Sequence, residues 1–143
     1  MYSLEIDGKR IEYESTDLTY LDAIRSCHPE RAHSAMAVLT QNGVVGLGER
    51  VQHDVRATTL DLTDEEGHRV YERSLRFVFL LAVHQMYPGK RVRFENSMGG
   101  GVYVTLESDV LLSTLAVRRI EAHMRELIDR DLPFEYKDVS QQE

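Results

Sequence analysis

Apolar and polar residues alternate in two short runs at the start of the chain, over residues 2–6 and again over residues 11–13. This period-two alternation is typical of strands that bury one face. The pair Asp7-Gly8 stands between the two runs. Because an Asp-Gly pair readily adopts the positive φ angles of a tight turn, these positions predict a β-hairpin at the N-terminus.

One helical segment and further strand-like runs follow the hairpin. Leu18, Leu21 and Ile24 recur at helical spacing after Ser15 and Thr16, either of which is a suitable helix cap. The later elements are a strand at residues 35–39, a tight turn at Asn42-Gly43 and a strand at residues 57–62. We therefore predict a small α+β unit over residues 1–62.

A polar stretch at residues 63–67 ends in glycine and separates this unit from a region with a different period. Apolar residues recur at helical spacing between residues 75 and 86 and occupy more than one helix face, which predicts a helix buried between layers. Strands are expected at residues 91–95 and 102–106, and a last helix at residues 115–130. The chain is therefore expected to be α+β, with domains at residues 1–62 and 63–143.

Composition indicates a soluble globular protein rather than a disordered one, since 29% of the 143 residues are charged and 42% are hydrophobic. No apolar run reaches the ~20 residues of a membrane helix, and the N-terminus has no signal-peptide pattern. Cys27 is the single cysteine, which suits a reducing compartment. These features predict a cytoplasmic protein with no membrane partner.

Charge is distributed unevenly along the chain. The net charge of −7 argues against general coating of nucleic acid, yet residues 69–93 hold six basic residues against Glu72, a local charge of +5. One interpretation is contact with an anion at this place. The alternative is that these arginines simply solvate a helix face.

Familiar catalytic and cofactor patterns are missing from the sequence. None of its Gly-rich segments has the Lys and Ser or Thr spacing of a nucleotide-binding loop. The six histidines form no i, i+4 pair, so no metal site is predicted. Cys27 or Ser97 would need a histidine base that the spacing does not supply. We therefore expect no catalytic residue and no cofactor in this chain.

The Gly-rich segment at residues 96–101 is the most unusual local feature, and it is interpreted either as a binding loop or as a wide hairpin turn. Arginines on the neighbouring helix and strand could gather near it, because guanidinium groups and glycine N–H groups together suit a phosphate. The candidate anion-binding residues are Arg73, Arg76, Arg91, Arg93, Ser97, Gly99, Gly100 and Gly101.

Several motifs in the second half resemble the second N-terminal domain of threonyl-tRNA synthetase. They are the segments at residues 71–77, Tyr87-Pro88-Gly89 and residues 97–103. The first half, with its Asp-Gly hairpin and Asn-Gly turn, resembles a TGS domain, a ubiquitin-like β-grasp module. The same pair of domains precedes the kinase domain of bacterial uridine kinase-type nucleoside kinases, which also share the ending Asp131-Leu132-Pro133-Phe134.

This resemblance implies a site that has lost its chemistry. In the synthetase the helix carries a His-x-x-x-His pair of the editing site that hydrolyses mischarged tRNA, and the matching positions here hold Arg73 and Phe77. A phenyl ring has no lone pair, and a guanidinium cannot act as a base near neutral pH. Editing is therefore not expected, and the synthetase domain itself continues beyond the stretch matched here.

The first hypothesis that follows is a non-catalytic regulatory region of a uridine (nucleoside) kinase. Its partner would be a downstream kinase domain, for which the resemblance implies ATP and Mg²⁺, and its ligand a nucleotide or an RNA phosphate. The alternatives are an aminoacyl-tRNA editing hydrolase related to threonyl-tRNA synthetase and a module that binds RNA or a protein partner.

Overall fold

The computed structural model describes residues 1–14, 17–98, 101–107, 112–135, 137 and 139–140. The chain divides into two units, Met1–Ser74 and Leu75–Glu143. The division falls inside one helix, Glu65–Met86, whereas the sequence places the domain boundary between residues 62 and 63. That domain boundary stays a prediction.

The first unit is a five-stranded sheet with one helix. Its strands are β1 (Tyr2–Ile6), β2 (Lys9–Tyr13), β3 (Ala37–Thr40), β4 (Gly43–Val45) and β5 (Val55–Leu60), and its helix is α1 (Tyr20–Cys27), followed by a short 3-10 helix at Pro29–Arg31. The strand order is β2-β1-β5-β3-β4. Strands β1 and β5 are parallel, whereas the other paired strands are antiparallel. This is the ubiquitin-like β-grasp arrangement, so the predicted fold of the first unit is confirmed.

Both predicted tight turns are present and occupy the expected positions. Asp7 has φ of 47° and Gly8 has φ of 83° between β1 and β2. Gly43 has φ of 113° at the start of β4. Positive φ explains the residue types at Asp7, Gly8 and Gly43, because Gly and Asp tolerate the left-handed region better than most other residues.

The Asp7 carboxylate ties this first turn to β5. It accepts hydrogen bonds from the Thr59 N–H at 2.9 Å and the Thr59 hydroxyl at 2.6 Å. It also pairs with Arg31 at 2.7 Å, and its side chain is only 6% exposed. Burial alone would raise the pKa of Asp7, but the Thr59 hydrogen bonds and the Arg31 guanidinium together hold this pKa below its ordinary value of 3.8.

The first helix begins later than its apolar spacing predicts. Thr19 is its N-cap, and Thr19 and Asp22 form a reciprocal capping box. The predicted caps Ser15 and Thr16 lie outside the described residues. The hydroxyl and N–H of Thr19 donate to the Asp22 carboxylate and lower its pKa. The inner face of α1 meets the sheet in a core that includes Leu4, Ile6, Ala23, Ile24, Val38 and Val51.

The polar stretch before the second helix α2 (Glu65–Met86) is shorter than the sequence indicates. Gly67 does not end a linker but lies buried in the first turn of α2. A Cβ at this position would overlap the backbone carbonyl oxygen of Asp61. Gly67 is therefore required by a close approach of two backbone segments.

The second unit contains the later turns of α2, the hairpin strands β6 (Arg91–Met98) and β7 (Gly101–Glu107), and helix α3 (Thr114–Asp129). Its buried core consists of Ala82, Val83, Ile120 and Leu127. Phe77 is 54% exposed and Leu80 is 37% exposed, so the prediction that α2 is buried on more than one face is wrong. None of the described helices has the length and apolarity needed to cross a lipid bilayer.

Candidate functional site

Two of the predicted arginines share one face of the β6–β7 hairpin. In β6, Arg91 and Arg93 alternate with Val92 and Phe94, and both arginines are exposed. Val92 pairs with Leu106 on β7, and both pack against the second core. Because successive strand residues point to opposite sides, Arg91 and Arg93 lie on the outer face of the hairpin.

Arg76 lies on the other side of this hairpin. Its guanidinium carbon is 5.4 Å from the centre of the Phe94 ring, a cation–π distance. The Phe94 ring in turn meets Phe79 of α2 edge to face, with 6.2 Å between ring centres. The hairpin therefore separates Arg76 from Arg91 and Arg93, and the structure does not bring these three guanidinium groups to one face.

The Gly-rich segment is described only at its two ends. Ser97 pairs with Val102, and Met98 pairs with Gly101, which is the first residue of β7. The register shifts between Phe94 and Ser97, as in a β-bulge. Gly99, Gly100 and the side chain of Ser97 lie outside the described residues, so anion binding at this segment stays a prediction.

Arg73 and Phe77, the two positions that match the editing pair of the synthetase, lie one turn apart on α2. Arg73 is exposed and belongs to the first unit. The Phe77 ring lies 5.7 Å from the Phe134 ring, between ring centres. Phe134 follows α3, and the intervening Asp131 has φ of 48°. The chain turns at Asp131 after α3 and returns to α2. There the Phe134 ring pairs with the Phe77 ring.

An apolar groove of about 270 Å³ lies beside this aromatic pair within the second unit. Its walls are Val78 and Leu81 from α2 and Leu127 and Ile128 from α3, together with the residues that follow α3. The groove could not be predicted from the sequence, because it forms where α2, α3 and the residues after α3 meet. Leu127 is buried, whereas Ile128 is 54% exposed.

Ionisable side chains do not converge on a metal site in the described part of the chain, where no three His, Cys, Asp or Glu residues form a suitable group. His123 contacts Gln85 at 2.6 Å and lies 3.4 Å from Glu126. Nε2 of His28 lies 3.0 Å from the carbonyl oxygen of Ile6. These two histidines join neighbouring elements, as capping and packing residues do.

The fold and these positions can be compared with known proteins. No protein-family model matches the chain. The curated relatives include a threonine–tRNA ligase of Desulforamulus reducens, which is 27% identical over 137 residues, and one of Rubrobacter xylanophilus, which is 28% identical over 137 residues. Each alignment covers 96% of this chain and 21% of the relative. A third ligase, from Clostridium botulinum, is 25% identical over 122 residues.

The chain is similar to threonyl-tRNA synthetases. It spans about a fifth of the length of the curated relatives it matches. The similarity extends through both units, so the resemblance carried by the motifs is supported at the level of a β-grasp module followed by a synthetase-like region. These three ligases give no support to the expectation of a uridine kinase parent or to an ATP-binding function.

Proposed function

We propose that this chain is an accessory module, related to the corresponding region of threonyl-tRNA synthetases, that binds RNA without hydrolysing an aminoacyl ester. Similarity to ligases over 96% of the chain supports the relationship to a tRNA-handling region. The observation that carries the non-hydrolytic part is the Phe77 ring on α2, which contacts Phe134 where hydrolysis would need an imidazole.

Hydrolysis of an ester needs a base or a metal-bound water at the carbonyl carbon. Phe77 offers neither a lone pair nor an acidic proton, and the Arg73 guanidinium has no acceptor atom with which to act as a general base. The paired rings of Phe77 and Phe134 present only carbon atoms at this position. The position is thus unsuited to activating water.

The outer face of the β6–β7 hairpin is the surface that we assign to RNA. Arg91 and Arg93 lie there, and the register places Tyr103 on the same face of β7, where its side chain is 59% exposed. A guanidinium binds phosphate through two parallel hydrogen bonds, and an exposed aromatic ring stacks on an unpaired base. Glu95 lies on the same face, where its carboxylate is 3.4 Å from the Thr105 hydroxyl. The two guanidinium groups and the Tyr103 ring are the groups of this face that suit a single-stranded RNA segment such as a tRNA end.

Fluorescence anisotropy with a labelled, uncharged tRNA at several salt concentrations tests this proposal. Replacing both arginines by Gln (R91Q/R93Q) should weaken binding at least about a hundredfold, since each of the two lost hydrogen bonds to a charged group contributes about 1.5–3 kcal/mol. It should also reduce the slope of log K against log salt by about 1.4, the value for two lost contacts to a single strand. Tyr103→Ala should weaken binding about tenfold through lost stacking.

Arg125→Gln is the matched control, because Arg125 is exposed on α3 and pairs with Glu121 at 2.9 Å. It should leave tRNA affinity within about twofold, as expected for a surface charge away from the binding face. An R91Q/R93Q protein that binds tRNA as tightly as R125Q, with an unchanged salt slope, would exclude the hairpin as the RNA surface.

The non-hydrolytic part has its own assay. Serine release from seryl-tRNA should proceed at the same rate with and without the protein, because positions 73 and 77 supply no base. Turnover that disappears in Phe77→Ala or Arg73→Ala would identify a hydrolase and contradict this half of the proposal.

Sequencing the complete gene would distinguish the two parent proteins that the resemblance admits, a ligase and a nucleoside kinase. A ligase parent predicts an aminoacylation domain after the matched stretch. A nucleoside kinase predicts a phosphate-binding loop there, with the bound nucleotide and Mg²⁺ that such a loop requires. The similarity to ligases favours the first.

A further inference from the structure

An open cleft of about 410 Å³ lies on the β-grasp unit. Two arginines, Arg10 and Arg56, and two carboxylates, Glu5 and Asp54, line it. The remaining lining residues are Ser3, Gln41 and Val55. The cleft therefore presents balanced charges of both signs to solvent.

The sheet register sets the order of these charges. Glu5 on β1 pairs with Arg10 on β2 and with Arg56 on β5, so one carboxylate lies between two guanidinium groups on strands about 4.8 Å apart. Nε of Arg56 is 3.7 Å from the Glu5 carboxylate, longer than a good hydrogen bond. The two charges are therefore close neighbours without a close hydrogen bond between them.

The side chains of Asp54 and Gln41 make hydrogen bonds that hold one wall of the cleft in place. Oδ1 of Asp54 accepts the Ser3 N–H at 2.7 Å and lies 3.4 Å from the Ser3 hydroxyl, whereas Oδ2 has no hydrogen-bond partner among the described residues. The Gln41 amide donates to the carbonyl of residue 54 and accepts the N–H of residue 56, both at 3.2 Å. These hydrogen bonds, from Ser3 and from Gln41, hold residues 54 and 56 at the start of β5 in place.

We infer that this cleft binds a zwitterionic α-amino acid. Its carboxylate would accept hydrogen bonds from the Arg56 guanidinium, and its ammonium group would donate to Glu5 and to Oδ2 of Asp54. An inorganic anion would meet two carboxylates in the same cleft, and a metal cation would meet two guanidinium groups. A ligand that carries an ammonium and a carboxylate group on one carbon atom complements both sets of groups.

Amide NMR shifts of the full 143-residue chain titrated with L-serine test this inference. The shifts of Ser3, Val55 and Arg56 should saturate at millimolar concentrations. Ethanolamine has only the ammonium group and glycolate only the carboxylate, so each should bind at least about tenfold more weakly than serine, since each lacks one set of charged hydrogen bonds. Absence of saturable shifts up to about 50 mM serine, well beyond the millimolar range, would overturn the inference.

Glu5→Gln and Arg56→Gln should each weaken serine binding at least about tenfold while preserving the dispersed amide spectrum of the folded unit. Arg25→Gln is the matched control, since Arg25 is an exposed arginine of the same unit and lies outside the cleft. Glycolate binding as tightly as serine would identify a simple anion site instead. Equal serine affinity in the Arg56→Gln and Arg25→Gln proteins would also contradict the assignment. Because the cleft and the hairpin are formed by different residues, these results do not depend on RNA binding.

Discussion

Replacing Asp7 with Asn tests how strongly the first turn is tied to β5. Asn tolerates the φ of 47° found at this position, so the change removes the charge and one acceptor without straining the backbone. The lost contacts are one charge-assisted hydrogen bond from Thr59 and the ion pair with Arg31. We expect a loss of about 2–3 kcal/mol, because Arg31 can regain water while the hydrogen bond cannot be fully replaced.

Urea unfolding followed through the amide NMR intensities of β1 measures this loss for the first unit separately. A double-mutant cycle of D7N with T59V should give a coupling energy of about 1 kcal/mol or more, since the two side chains are in direct contact. Glu30→Gln is the control, because Glu30 is 66% exposed and its partner in the described structure is His28. Its effect should stay within about 0.5 kcal/mol.

The difference in unfolding free energy between the parent chain and D7N should depend on pH. The pKa of Asp7 in the folded unit lies below its ordinary value of 3.8, so the ionised carboxylate stabilises the fold at neutral pH. This stabilisation is complete above the unfolded pKa and is lost as the pH falls through the lower, folded pKa. The difference between parent and D7N should therefore shrink in acid. A D7N loss under about 0.5 kcal/mol at neutral pH, or a difference that grows in acid, would refute the reasoning.

Three further substitutions probe local features. Gly67→Ala should destabilise the chain by about 2 kcal/mol or more in urea unfolding, because its Cβ overlaps a backbone carbonyl, whereas Gly48→Ala meets no atom within 4 Å and should be near neutral. Thr19→Ala should cost about 1 kcal/mol through the lost cap, and Thr58→Ala, at an exposed strand position, should cost less than half of that. Phe134→Ala should lower stability by about 1 kcal/mol in thermal unfolding, since both rings of its pair are half exposed; no measurable change would mean that the ring contact does not form in solution.

Local turn chemistry explains why the first unit could be predicted well. The Asp-Gly and Asn-Gly pairs require positive φ, and the structure has it at Asp7, Gly8 and Gly43. The parallel pairing of β1 with β5 could not be predicted in this way, because it joins strands about fifty residues apart in sequence. The α1 cap at Thr19 could not be placed either, because the apolar spacing alone does not show where the capping box lies.

The same difference holds for the candidate site. Residues placed by a local pattern could be predicted, and residues placed by contacts between distant elements could not. Period-two alternation was enough to place Arg91 and Arg93 on one side of a strand. The position of Arg76 depends on the Phe94 ring from another element, which no local pattern shows. The cleft residue Arg10 could have been found from the hairpin register opposite Glu5, whereas Arg56 required the β1–β5 pairing.

The ring pair of Phe77 on α2 and Phe134 after α3 also limits how this chain could be redesigned into a hydrolase. Installing imidazoles at Arg73 and Phe77 would remove the aromatic partner of Phe134 and leave that ring beside the new groups. The Phe134 side chain would then occupy space that a substrate needs. Under the proposed non-hydrolytic function, a hydrolase design at these positions would thus call for a coordinated third change in the segment after α3.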